Sequence, residues 1–111
     1  MKLSLILALL FAACFAAFAQ QAMPRMTAVD PQNGKAGDVI VVSGENLHKE
    51  VVAKLYLTDS KNDIEVPIMA QTEKEIKFKI PEKATGRLSL MVLTAGKDGK
   101  LIEQPVKLQI D

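Results

Sequence analysis

From Met26 onward, apolar side chains recur at every second position, and clusters of turn-forming residues cut the pattern at short intervals. A two-residue period puts alternate side chains on opposite sides of an extended backbone, so it suits strands with one buried face and not helices. Met26–Val29 is halted by Asp30-Pro31-Gln32-Asn33-Gly34, and Asp38–Ser43 (DVIVVS) ends at Gly44-Glu45-Asn46. Gly44 is expected where a side chain would crowd the turn. Ala53–Thr58 (AKLYLT) sets Ala53, Leu55 and Leu57 on one side and Lys54 and Tyr56 on the other. Ile64, Val66 and Ile68 alternate next. Pro67 confines this piece to a sheet edge, because proline lacks the N–H a central ladder needs. Glu75–Ile80 (EIKFKI) points Ile76, Phe78 and Ile80 inward, and Pro81 stops it. Arg87–Thr94 (RLSLMVLT) leads to a hairpin tip at Gly96-Lys97-Asp98-Gly99, and Val106, Leu108 and Ile110 alternate to the end. About seven short strands, with turn signals every 8–12 residues or so, predict an all-β sandwich.

The leader has a different character. Three of the four Phe residues and the only Cys of this 111-residue chain fall within Met1–Ala19. Lys2 precedes an apolar run over Leu3–Ala16 broken by Ser4, and Ala17-Phe18-Ala19 places small residues before polar Gln20-Gln21. That order is a secretory signal peptide, with cleavage expected between Ala19 and Gln20. The run falls short of the roughly 20 apolar residues of a membrane-spanning helix, so no transmembrane segment is expected in the mature chain. The predicted division is a signal peptide over residues 1–19, a short N-terminal segment over 20–24 and one domain over 25–111. The expected destination is the periplasm or the exterior. Phe11-Ala12-Ala13-Cys14 also resembles a bacterial lipobox, and in that alternative Cys14 carries lipid and tethers the protein to a membrane.

Setting Lys2 aside from the 14 basic residues balances the 13 acidic ones, and a neutral domain argues against nucleic-acid binding through net basicity. A mature chain without cysteine has no disulfides, so its apolar core alone must hold it together.

The residues offer little for catalysis. His48 is the only histidine, which precludes a histidine-based metal cluster or a nucleophile–histidine dyad within the chain, and it is expected in a solvated loop. Ser43, Ser60 and Ser89 lack a motif, and no glycine-rich loop opens a helix to hold phosphate. Asp59, Asp63 and Glu65 cluster about one loop, but their spacing matches no calcium loop and turn formation explains them. Lys74, Lys77, Lys79 and Lys83 alternate with Glu73, Glu75 and Glu82, the pattern of a solvated face guarding an edge. No catalytic residue, cofactor site or metal site is expected. Glycan binding is disfavoured, since Tyr56 and Phe78 are the only aromatics after the leader and Phe78 belongs to the inward set. The suggestive remainder is apolar and outward. If Ile40 and Val42 face the core, Val39 and Val41 face away; if Leu88, Leu90 and Val92 point in, Met91 and Leu93 point out. These four are the candidate interaction face, provided they are exposed and contiguous.

The order of features also resembles a known family. Met26-x-x-Val29-x-Pro31-x-x-Gly34, then Gly37, then Ile40-x-Val42-x-Gly44-x-Asn46-Leu47, is similar to the opening of IPT/TIG domains. Thr72-x-x-x-Ile76-x-Phe78-x-Ile80-Pro81, the Gly86 turn and the closing strand extend the likeness over Pro24–Asp111. Lys61–Gln71 departs from it, being longer and more polar than the family's compact middle. The resemblance implies an immunoglobulin-like sandwich that acts without catalysis, by contact with a protein partner at the cell envelope or outside the cell. The alternative it leaves is a polysaccharide-binding accessory module.

Overall fold

A computed structural model describes residues 23–111, which form nine strands in two sheets. The strands are β1 (Arg25–Asp30), β2 (Asn33–Gly34), β3 (Val39–Glu45), β4 (Val52–Thr58) and β5 (Asp63–Val66), then β6 (Ile68–Gln71), β7 (Glu75–Lys79), β8 (Gly86–Thr94) and β9 (Leu101–Ile110). One sheet runs β1-β3-β7-β6, and the other runs β2-β9-β8-β4-β5. All pairings are antiparallel except β2 with β9. The sheets enclose one core. Met26, Ile40, Val42, Ile76 and Phe78 enter it from the four-stranded sheet, and Leu55, Leu57, Leu88, Leu90, Val92, Leu108 and Ile110 from the five-stranded one. The all-β sandwich predicted from the alternation, with the immunoglobulin-like form that the family resemblance implies, is the fold observed.

Nine strands appear where about seven were expected because two runs of chain each serve both sheets. Residues 25–34 begin in the four-stranded sheet as β1, turn through the cis Asp30–Pro31 bond and end in the five-stranded sheet as β2. Residues 63–71 make the opposite passage, as β5 and then β6, with Pro67 at the corner. A proline at each crossing costs no ladder hydrogen bond, since the chain there belongs to neither sheet. Both flanks of the sandwich are thereby lined with short strands, which limits the open edge offered to another chain.

Local irregularities adjust the alternation. Met26 and Val29 are three residues apart yet both face inward, because the pairing of β1 with β3 shifts between Met26 and Ala28. A similar shift in β4 leaves Ala53, expected inward, exposed, and Val52 takes the buried place. Gly44 lies inside β3 and not at its end. A Cβ there would collide with the Arg25 carbonyl and sit 2.9 Å from the Met26 Cα, so the crowding comes from the β1 backbone and not from a turn. Strand β9 starts five residues earlier than expected, and its ladder with β8 shifts where Gln104, Pro105 and Val106 pass Leu90.

Two glutamines bind backbone that the ladders leave over. The buried Gln104 crosses between the sheets and accepts a hydrogen bond from the Met26 N–H through Oε1 at 2.8 Å. Gln71 Nε2 donates to the carbonyls of Leu47 (2.8 Å) and Val52 (2.9 Å), holding the loop that carries the chain from one sheet to the other. Buried backbone groups without such partners are strongly disfavoured.

Candidate functional site: the outward face of the five-stranded sheet

Strand register places side chains in rows across this face. Tyr56 on β4 stands opposite Met91 on β8 and Glu65 on β5, and Met91 stands opposite Glu103 on β9. In the adjoining row Lys54, Leu93 and Leu101 are neighbours on β4, β8 and β9. On the far side follow Asp63, Thr58, Ser89 and Lys107. Met91 is only 8% exposed, yet it does not belong to the core cluster. Its register neighbours Tyr56 and Glu103 flank it on β4 and β9. Tyr56 and Leu93 are half-buried, and Leu101 is 54% exposed. The result is a short apolar stripe with charges beside it.

The four residues expected to form one face do not do so. Val39, 44% exposed, and Val41, half-buried, lie on the outside of the other sheet, opposite Lys79 and Lys77 of β7. Met91 and Leu93 lie across the sandwich from them. Alternation tells which side chains leave a strand outward, but not which sheet that strand joins. The stripe's other members, Tyr56 and Leu101, were not singled out for contact, because cross-strand neighbourhood depends on register.

Groups with chemical potential are engaged in structure. Asp59 Oδ1 accepts hydrogen bonds from the backbone N–H groups of Asn62 (2.7 Å) and Lys61 (2.9 Å). These bonds, that from Asn62 foremost, hold its carboxyl below the usual 3.8. Asp63 Oδ1 accepts from the Thr58 hydroxyl at 2.7 Å. Glu65 lies 3.6 Å from Lys54 Nζ in an exposed ion pair of small energetic weight. Among the described residues, no group of three or more His, Cys, Asp or Glu is disposed to hold a metal ion. His48, expected in solvent, is half-buried, with its Nδ1 enclosed and without a partner, because the Gln71 hydrogen bonds draw this loop against the body. The lysines of β7 guard no edge, since β7 lies inside its sheet and β6 takes the edge. Open grooves of about 280 and 590 Å³ lie near Gly37–Pro81 and beside the β8–β9 hairpin tip.

The sequence over residues 24–110 matches the model of the IPT/TIG domain, which accounts for most of the chain. The chain belongs to the IPT/TIG family. Among curated proteins none matches it. Several solved structures share the fold of this IPT/TIG domain. One is a protein of unknown function from Bacteroides thetaiotaomicron, with TM-score 0.67 and 18% identity, over 82% of this chain and 22% of that one. Another is the gamma-CGTase of alkalophilic Bacillus clarkii, with TM-score 0.62 and 22% identity, over 80% and 12%. A third is an auxiliary nutrient binding protein from Bacteroides ovatus, with TM-score 0.59 and 20% identity, over 82% and 21%. This IPT/TIG chain thus spans less than a quarter of each. Among the described residues, no helix is long and apolar enough to cross a membrane. The expected signal peptide, the Ala19–Gln20 cleavage point and the Cys14 alternative lie outside the described residues.

Proposed function

We propose that this IPT/TIG domain is an exported, non-catalytic module that works by protein–protein contact at the cell envelope or outside the cell. The observation that carries the reading is the stripe of Tyr56, Met91, Leu93 and Leu101, which lies outside the core on a sheet with no covering layer among the described residues. Of these, Leu101, Leu93 and Tyr56 keep contact with water and gain free energy when a second surface covers them. Export is supported by the Met1–Ala19 pattern, with cleavage before Gln20 giving a free protein. Sequencing the mature amino terminus tests it: Gln20 is expected, and a lipidated Cys14 would make the protein a tethered one.

Affinity capture from envelope extracts, with the chain from Gln20 as bait, tests the contact. Leu93→Lys and Leu101→Lys together should abolish capture while leaving the far-UV circular dichroism and the melting temperature within a few degrees of the parent. Undiminished capture would exclude this face. A second reading, polysaccharide binding, draws support from the likeness to the Bacteroides ovatus nutrient binding protein and from Tyr56 on the same face. Co-sedimentation with insoluble polysaccharide that disappears in Tyr56→Ala would favour it instead.

A further inference from the structure

We propose that Asn33 is a modification site, a deamidating asparagine whose reaction is timed by the short ladder between β2 and β9. The site is separate from the contact face and does not depend on it. The sequence has three asparagines, Asn33, Asn46 and Asn62, followed by Gly34, Leu47 and Asp63. An asparagine deamidates when the backbone nitrogen of the next residue attacks its side-chain carbonyl carbon. The attacking nitrogen loses its proton, a new N–Cγ bond closes a succinimide, and the side-chain nitrogen leaves with that proton as ammonia. Water then opens the ring to aspartate or isoaspartate. A side chain on the following residue hinders the attack, and glycine has none. Asn33 is exposed, so its carboxamide is open to solvent.

Packing favours the glycine. Gly34 is buried, and a Cβ there would stand 2.8 Å from the Ile80 Cδ1 and 3.4 Å from the Ile40 Cδ1. The fold therefore keeps the reactive pair and restrains it by other means. The Gln109 N–H donates to the Gln32 carbonyl and the Asp111 N–H to the Gly34 carbonyl, each at 2.9 Å. Asn33 pairs with Gln109 and Gly34 with Ile110 in parallel, so the Gly34 N–H lies between those two bonds and points to the Gln109 carbonyl. The nucleophile is tied into the ladder. Attack requires that bond to open.

Two residues make a weak lock. β2 ends its sheet and is held on one side only, so it can open without unfolding the core. The reaction then runs at the unfolded rate multiplied by the fraction of time β2 is open. Isoaspartate routes the main chain through Cβ and Cγ, one carbon longer, and Gln32 and Gly34 can no longer both match the spacing along β9. With the Gly34 bonds gone, the Gln32 bond alone does not hold β2. β9 becomes an edge with unpaired main-chain groups, the kind of edge to which another strand adds.

Timed incubation of the chain from Gln20 in mildly alkaline buffer, followed by peptide mapping by mass spectrometry, tests this. The readout is the replacement of NH by O in the Asn33 peptide. Asp98–Gly99, an exposed pair that can isomerise through the same kind of ring, changes no mass. The folded chain should deamidate roughly 10–300-fold more slowly than the chain in denaturant, short of the roughly several-thousandfold protection that opening by global unfolding would give. A chain ending at Ile110 lacks the bond from Asp111 and should lose about fivefold of that protection, with thermal melting showing it folded. In the purified isoaspartate form, the Gln109 amide should exchange with deuterium faster than in the parent, while the amides of β8 keep their protection. Equal rates in buffer and in denaturant, protection as large as global unfolding demands, or a folded rate that the loss of Asp111 leaves unmoved would each overturn the proposal. So would earlier reaction at Asn46 or Asn62, or an isoaspartate form in which Gln109 stays protected.

Discussion

A methyl group on residue 44 has no room, because the β1 backbone occupies its place. Flexible side chains could yield to it, but the Arg25 carbonyl and the Met26 Cα are fixed by pairing with β3. Gly44→Ala should therefore cost about 3 kcal/mol, the upper part of the range for overpacking, and denaturant titration will show it as a lowered midpoint with unchanged slope. Gln104→Leu tests the opposite fault, a lost partner. It keeps an apolar side chain of similar length but leaves the buried Met26 N–H unbonded, at a cost of about 1–3 kcal/mol by the same measurement. Asp59 gives a pH signature. Its carboxyl titrates lower when folded than when unfolded, so its contribution is fully present above the unfolded value of 3.8 and is lost as pH falls through the folded one. The stability difference between the parent and Asp59→Ala should hold steady near neutrality and shrink below that value.

At the scale of elements, Phe78 shows what a strand contributes. It is the largest of the fully buried side chains and stands on β7, opposite Ile40 of β3 and Ile68 of β6. Phe78→Ala should cost about 3–5 kcal/mol, read by denaturant titration, since rigid neighbours on two strands cannot close the cavity. The inward place of Phe78, Ile76 and Ile80 was legible in EIKFKI, as were the β8–β9 hairpin tip and the edge role of Pro67. In each case the governing contacts are local: a period, a turn, a missing N–H. The division of residues 25–34 and 63–71 between two sheets was not legible, because it depends on which distant strands offer a ladder. For the same reason the sequence separates Met91 from Leu90 as outward but cannot show Tyr56, Glu103 and Leu101 beside it. The early part of β9 was hidden because Glu103, Gln104 and Pro105 break the apolar alternation, and the ladder with β8 pairs Glu103 with Met91 and then shifts past Gln104 and Pro105. The candidate site was thus half legible: Met91 and Leu93 belong to its stripe, while Val39 and Val41 belong to the opposite face.

For the whole molecule, a single core shared by both sheets and closed at each flank by a crossing strand should unfold as one unit, with the net stability of about 5–15 kcal/mol usual for such domains. Coincident melting curves from circular dichroism and from Tyr56 fluorescence are expected. The central claim is that the outward face of the five-stranded sheet makes the contacts. The most direct test is affinity capture from envelope extracts with the chain from Gln20 as bait, run for the parent, for Leu93→Lys with Leu101→Lys, and for Val39→Lys with Val41→Lys. Capture lost with the Leu93 and Leu101 changes and kept with the Val39 and Val41 changes, both variants being folded by circular dichroism, is the predicted result. Capture undiminished by the Leu93 and Leu101 changes, or lost with the Val39 and Val41 changes, would contradict it.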